Sequence, residues 1–313
     1  MPAATLADVG EFGLISALTE LLPSNESVVT GPGDDAAVVR TRGGHVVIST
    51  DMLVEGRHFR RDWASATEIG HRAAAQNLSD INAMGGRAHT LTLGLAAPPS
   101  LELAWVLDFV RGFVQECDLV GAVVVGGDTT RCDSLVISVT VLGAVSVAPV
   151  LRSGARPGEV LAICGRQGWA AGGLAVLSRG FRSPRSLVAA YARPEPPYDA
   201  GPDAAAAGAT SMIDISDGLL ADAGHIAAAS GVHLDISTAL LSVPEPLHAV
   251  AAATGADPVG FVLTGGDDHA LLATFPASGS PPDGWTSIGT VTVGEGVTVD
   301  GAGWDGPVGW THF

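Results

Sequence analysis

The apolar positions of this chain recur with two periods, and the period separates helix from strand. Leu14 to Leu22 reads as a helix stopped by Pro23. Ala36 to Arg40 and His45 to Ser49 read as two strands of a hairpin around Arg42-Gly43-Gly44. Thr67 to Met84 reads as a helix that ends at Gly85-Gly86, and Leu91 to Leu95 as a strand. Leu101 to Cys117 has helical spacing, which places Leu103, Val106, Leu107, Val110, Val114 and Cys117 on one apolar face. Val123 to Val125 reads as a buried strand running into Gly126-Gly127-Asp128, and Leu135 to Val145 as another strand.

A polar stretch rich in Pro and Gly, 149–158, marks a boundary. It divides the chain into an N-terminal α/β unit, 1–148, and a C-terminal α/β unit, 149–313. Beyond it, Glu159 to Cys164 reads as a strand and Trp169 to Ser178 as a helix. Tyr191 to Pro202 carries four prolines and reads as irregular. Ser211 to Ile215 predicts a strand, Leu219 to Ser230 a helix, and Val259 to Leu263 and His269 to Phe275 two more strands. From Ser287 onward the pattern is strand and turn. Strands and helices alternate irregularly in both units, which points to α/β or α+β layers.

Composition narrows the functions open to such a chain. Its 313 residues are 47% hydrophobic and 16% charged, a globular balance. With 16 Lys+Arg against 33 Asp+Glu the formal charge is −17, which argues against nucleic acid and anionic membranes as partners. No apolar run has the length of a membrane span, and the first ten residues lack the pattern of a secretory signal. Cys117, Cys132 and Cys164 are too few and too scattered for a disulfide framework or a zinc pair, so a reduced, cytoplasmic protein is expected.

Asp outnumbers Glu two to one, and the aspartates sit in a repeated setting. An apolar run, one or two small residues and then Asp recur at Gly33-Asp34-Asp35, Ser49-Thr50-Asp51, Gly127-Asp128, Asp214-Ile-Ser216-Asp217 and Gly266-Asp267-Asp268. Each alone also suits a turn or helix cap. Together at strand ends they suit magnesium carrying a phosphorylated substrate, because Mg²⁺ takes one or two carboxylates plus waters and phosphate oxygens. So many carboxylates without cations would repel one another. Asp80 lies inside the predicted helix Thr67–Met84 with Asn77 one turn before it, among small apolar residues, and is a further candidate ligand. No GxxxxGK[ST], kinase HRD/DFG set, GxSxG or HExxH motif occurs.

In order, these stretches resemble the thiamine-monophosphate kinase family, within the superfamily of aminoimidazole ribonucleotide synthetase. The matching segments are Gly10-Glu-Phe-Gly-Leu-Ile15, Gly33-Asp-Asp-Ala-Ala37, Ile48 to Val54 with His58-Phe59, Gln76-Asn-Leu-Ser-Asp80 through Gly85, Gly126-Gly-Asp-Thr-Thr-Arg131, Leu151 to Gly158, Asp214 to Leu219, and Gly265-Gly-Asp-Asp268. They span nearly the whole chain. The resemblance implies a two-domain α/β (α+β) fold of the aminoimidazole ribonucleotide synthetase type, whose N-terminal sheet forms a homodimer interface. It implies transfer of the ATP γ-phosphoryl group to thiamine monophosphate, with several Mg²⁺ ions, giving thiamine diphosphate. By the same resemblance the metal ligands are Asp35, Ser49, Thr50, Asp51, Asp80, Asp128, Asp214 and Asp217, with Asp34 either behind them or a further ligand. ATP contacts are Gly127, Asp128, Arg152 and Ser216; substrate contacts are His58, Asp267 and a C-terminal aromatic, Trp304. Asp80, Asp128 and Arg152 would carry the chemistry.

Two positions depart from the family pattern. Its Gly-Gly-Glu-Asp reads Gly265-Gly266-Asp267-Asp268, one methylene shorter, and the tail ends Trp310-Thr-His-Phe313. The chemistry needs no general base, because a phosphate monoester with its second pKa near ~6 is already largely anionic at pH 7. The alternatives are another ATP-dependent member of the superfamily, a non-catalytic acidic metal-binding protein, and a magnesium phosphatase.

Overall fold

A computed structural model describes residues 25–41 and 44–311, together with Gly13, Ile15, Ser16 and Thr19. The predicted helix Leu14–Leu22, the motif Gly10–Ile15, the hairpin turn and the His312-Phe313 terminus therefore lie wholly or partly outside the described residues.

Two six-stranded sheets organise the chain. The first contains β1 (Val28–Thr30), β2 (Ala37–Thr41), β3 (Gly44–Val54), β4 (Gly86–Ala97), β5 (Val123–Arg131) and β6 (Val136–Val145), in the order β1-β2-β3-β6-β4-β5. The second contains β7 (Val160–Cys164), β8 (Ser211–Asp214), β9 (His233–Ile236), β10 (Leu271–Phe275), β11 (Trp285–Thr292) and β12 (Gly296–Val299), in the order β12-β9-β11-β7-β10-β8. Most pairings are antiparallel; β4–β5 and β9–β12 are parallel. The fold is mixed α/β, as expected.

Helices α1 (Ala66–Ala83) and α2 (Leu103–Asp118) cover one face of the first sheet. α1 starts cleanly because Ser65 and Glu68 form a capping box: Ser65 Oγ accepts from the Glu68 amide at 3.3 Å, and Glu68 Oε2 accepts from the Ser65 amide at 2.7 Å. Gly85, at φ 73°, follows its end in the left-handed region that favours glycine. Ile69, Ala73, Ala74, Ala75, Ile81 and Ala83 are wholly buried, so α1 is a core helix packed on nearly every side. It touches α2, the first sheet and β8 of the second. A Cβ on Gly70 would lie 2.1 Å from the Phe109 carbonyl oxygen, and one on Gly112 would lie 2.0 Å from that of Thr67. Small residues thus set the spacing of the α1–α2 pair.

Around the second sheet pack α3 (Trp169–Leu177), α4 (Arg185–Ala192), α5 (Ala200–Ala206), α6 (Leu219–Ser230), α7 (Glu245–Thr254) and α8 (Pro258–Thr264).

Four sequence expectations need correction. Val259–Leu263 is helical, not a strand: Asp257 caps α8 by accepting from the Val259 amide, and Pro258 occupies its first turn. The buried stripe of α2 is Phe109, Gly112, Phe113, Glu116 and Cys117, while Leu103, Leu107 and Val114 are exposed. β5 is an edge strand with Val123 and Val125 in solvent, not a buried one. The irregular segment is shorter than Tyr191–Pro202, since Tyr191 lies in the last turn of α4 and Pro202 fits the first turn of α5. The three cysteines are free, and among the described residues no helix is long and apolar enough to cross a membrane.

Candidate active site

β3 runs on through Ser49, Thr50 and Asp51 to Val54, so these residues lie mid-strand and alternate between faces. Asp51 pairs with buried Val139 and shares the helix-covered face with Ser49. Thr50 points to the other face, where its hydroxyl donates to the Val139 carbonyl at 2.8 Å and meets Thr140 Oγ1 at 3.0 Å. The expected side-chain role of Thr50 as a ligand is therefore not supported by its placement: its hydroxyl is committed to β6.

Ser49 Oγ donates to Asp80 Oδ2 at 2.6 Å, joining β3 to α1. Burial and then the like charges of Asp51, Asp214 and Asp35 push the Asp80 carboxyl well above the ordinary carboxylate range, with the Ser49 bond opposing. Asp35, in the turn before β2, is pushed up to about 7 by burial, against the pull of Arg152 and with Asp214 adding to the rise. Asp214 ends β8 of the second sheet and is 3% exposed; His269 Nδ1 lies 3.0 Å from its Oδ2. Asp217 follows in the loop to α6, where its amide and that of Gly218 donate to Asp222 Oδ2. Carboxylates from both sheets and from α1 thus converge.

Arg152 faces this group from the segment between the sheets. Its Nη2 donates to Asp35 Oδ1 at 2.8 Å, and its amide donates to Asp34. That places Asp34 behind the cluster, holding Arg152. Two buried atoms of the Arg152–Asp35 pair have no partner among the described residues: the donor Arg152 Nε and the acceptor Asp35 Oδ2. One asks for an anion and the other for a cation. Among the described residues no group of three or more His, Cys, Asp or Glu is arranged to cage a metal ion.

Other expected residues fall elsewhere. Asp128 is exposed on β5 in the row of Met52, Ser138 and Gly94, alternate to the row of Asp51, and its Oδ1 accepts from the Thr129 amide. The structure does not bring it to the carboxylate cluster. Gly127 lies in the Asp51 row, and a Cβ there would stand 1.8 Å from the Leu93 carbonyl oxygen. Ser216 is exposed beside Asp217. His58 Nδ1 accepts from the Val54 amide at 2.9 Å. Trp304 packs against the second core and donates to the Pro307 carbonyl. It is Trp310, half exposed, whose amide donates to the Asp217 carbonyl, so the tail reaches the site through a residue the sequence reading did not choose. Asp267 Oδ2 pairs with Arg72 Nη2 at 2.7 Å.

Residues 33–145 match the family model described as AIR synthase related protein, N-terminal domain. The thiamine-monophosphate kinase of Mycobacterium tuberculosis is 46% identical over 99% of this chain and 93% of its own length. The chain belongs to the thiamine-monophosphate kinase family. The Corynebacterium glutamicum member of this family is 40% identical over 92% of this chain and 88% of its own. A solved structure described as AaThiL complexed with AMPPCP and TMP superposes with a TM-score of 0.92 at 33% identity, covering 100% of both chains. The two-sheet architecture is therefore that of this kinase family.

Arg72, Trp310 and Asp222 are the site-side residues that sequence reading missed. Arg72 sits in an alanine-rich helical run with nothing local to mark it. Trp310 differs from Trp304 only in where the tail folds back.

Proposed function

We propose that the chain transfers the γ-phosphoryl group of ATP to thiamine monophosphate, giving ADP and thiamine diphosphate. The unpartnered pair of Arg152 Nε and Asp35 Oδ2 carries this reading, because one buried position lacks an anion and a cation together, as a metal–phosphate ligand supplies. Full-length similarity to curated kinases of this specificity supports the same substrates. The donor set fits magnesium: Asp35, Asp51, Asp80 and Asp214 would hold it, with Ser49 orienting Asp80. Bound magnesium would neutralise both polyanionic substrates and align the attacking and leaving oxygens.

The chain's own residues supply the rest. Arg152, fixed by Asp34 and Asp35, presents a guanidinium donor to nucleotide phosphates. Gly127 stays as the nucleotide contact that the family resemblance suggests, its missing Cβ leaving room for the Leu93 carbonyl of β4. A phosphate oxygen of thiamine phosphate attacks the γ-phosphorus, the bond to the ADP oxygen breaks, and no proton has to be removed first. Asp217, Ser216, Asp128 and Thr50 stay as contacts that the family resemblance suggests, Thr50 through its main chain. His58, Asp267 and an aromatic of the tail would meet the thiamine end, with Trp310 better placed than Trp304.

We assign residues 1–148 to nucleotide binding and dimerisation and 149–313 to completing the site. A homodimer is supported by the uncovered face and edge of the first sheet, where Met52, Val123 and Val125 are exposed; light scattering showing a monomer at working concentration would remove it. A cytoplasmic location accords with three free cysteines.

The test is an assay with ATP, Mg²⁺ and thiamine phosphate that resolves the products by chromatography. Thiamine diphosphate forming in step with ADP, and not with chelator, is expected. Inorganic phosphate released from thiamine phosphate without ATP would indicate a phosphatase, and no turnover a binding protein.

A further inference from the structure

Arg72 projects from α1 with a side chain only 6% exposed, yet it ties together three separate elements. Its Nη1 donates to the Tyr191 carbonyl at 2.6 Å, its guanidinium lies 4.9 Å from the Tyr191 ring centroid, and its Nη2 meets Asp267 Oδ2 at 2.7 Å. Trp63 closes the far side of Tyr191, edge to face at 5.9 Å. Burial works against the guanidinium charge, but Asp267, with Tyr191 and Asp268, outweighs it and keeps Arg72 charged. A planar fork held at two of its nitrogens and stacked on a ring has one orientation.

Asp267 is the less buried partner, with a side chain 44% exposed. Its backbone stands at φ 65°, a left-handed conformation that Asp tolerates better than most residues, and its amide donates to the Ser216 carbonyl. Oδ2 is taken by Arg72; no hydrogen bond to Oδ1 occurs among the described residues. Left to itself, an exposed Asp at a loop tip would sample several rotamers and draw a hydrated cation as readily as a substrate. Arg72 cancels the net charge and leaves one aimed acceptor.

We propose that Arg72 is a positioning residue for substrate recognition: from inside α1 it fixes Asp267 so that Oδ1 faces the organic end of thiamine phosphate. This deepens the kinase reading and rests on it. The bonds of Arg72 go to Tyr191 and Asp267 and not to the carboxylate cluster, so its influence belongs in the binding of one substrate and not in phosphoryl transfer.

The experiment is steady-state kinetics on the full chain with Arg72→Gln, Arg72→Lys, Asp267→Asn and the double variant Arg72→Gln/Asp267→Asn, each with its melting temperature. Arg72→Gln is expected to raise KM for thiamine phosphate at least tenfold while KM for ATP stays within twofold. Arg72→Lys keeps a charge opposite Asp267 but loses the fork to Tyr191, so it should recover part of the loss. The double variant should be no worse than the poorer single one. Equal rises in both KM values, a fall in kcat at unchanged KM, or independent multiplying effects would overturn the proposal. Should Arg72→Gln fail to fold, Asp267→Asn at a half-exposed position still decides: an unchanged KM for thiamine phosphate refutes it. A wild-type protein that makes no thiamine diphosphate refutes the kinase reading separately. Thermal stabilisation by thiamine phosphate alone then tests Arg72, and full retention of that stabilisation in Arg72→Gln and Asp267→Asn overturns the proposal.

Discussion

Helix α1 borders two buried acid sites, Glu116 of α2 beside its His71 and its own Asp80, that answer the same electrostatic problem in opposite ways. Toward α2, Glu116 is 1% exposed and fully matched: His71 Nδ1 lies 2.7 Å from Oε2, Tyr198 donates to Oε1 at 2.8 Å, and Arg193 approaches Oε2 at 3.3 Å. Burial, with Glu116 beside it, pushes the Tyr198 hydroxyl well up, so it stays a donor. Toward the second sheet, Asp80 has, among the described residues, a single hydroxyl donor and faces three more carboxylates. A charge that the fold has neutralised is structural. A charge that it leaves in excess keeps a place for a cation that arrives with the ligand.

The contrast breaks most sharply at Asp80. Asp80→Asn keeps an acceptor for Ser49 but removes the charge, and turnover should fall about 10³-fold, the scale of losing a preorganised electrostatic contact. Its melting temperature in chelator should equal or exceed that of the wild type, because a repelled carboxylate is gone. Near-normal turnover in a product assay would erase the distinction between the two sites. Glu116→Gln should do the reverse. Breaking a buried pair costs about 3 kcal/mol, read by denaturant unfolding, while kcat stays within twofold. Gly112→Ala should cost about 2 kcal/mol in the same unfolding measurement, since its Cβ would press on the Thr67 carbonyl and separate the helices that hold both acids.

The smallest expected effect is a pH slope. Burial pushes Asp268 up to about 7, opposed by the Ala170 amide that donates to its Oδ1. The folded protein therefore holds a proton there that the unfolded chain, with an ordinary Asp, has released. Between about pH 4 and pH 7 the native state binds more protons, so stability falls as pH rises through that window. Asp268→Asn should flatten the slope in melting curves taken without metal; an unchanged slope would discount the burial.

Much of this was legible in the sequence. The Gly85-Gly86 stop and the strand–turn runs mark the end of α1 and most strands within a few residues, because stops and alternation are local; the Ser65–Glu68 capping box that starts α1 is a local signal the sequence reading passed over. The errors arose where tertiary context decides. The short run Val259-Gly-Phe-Val-Leu263 suits strand or helix alike, and only Asp257-Pro258 ahead of it tips the balance. α2 offers an aliphatic stripe and an aromatic one, and the close approach of Gly70 and Gly112 selects the side with Phe109 and Phe113. The strand pattern stops at Ser49 while β3 runs on to Val54, which hides the alternation of Thr50 with Ser49 and Asp51. The carboxylates could be named as a set, but Asp214 meeting Asp80 across the two sheets, and Arg72 meeting Asp267, depend on long-range packing that no local pattern encodes.

Magnesium-dependent melting of the wild type and Asp80→Asn, side by side at pH 7.5, tests the central claim most directly. The account predicts that millimolar Mg²⁺ with a non-hydrolysable ATP analogue raises the wild-type melting temperature and leaves that of Asp80→Asn nearly unmoved. Equal stabilisation of both would show that the surplus carboxylate on α1 does not hold the cation, and the contrast with Glu116 would lose its meaning.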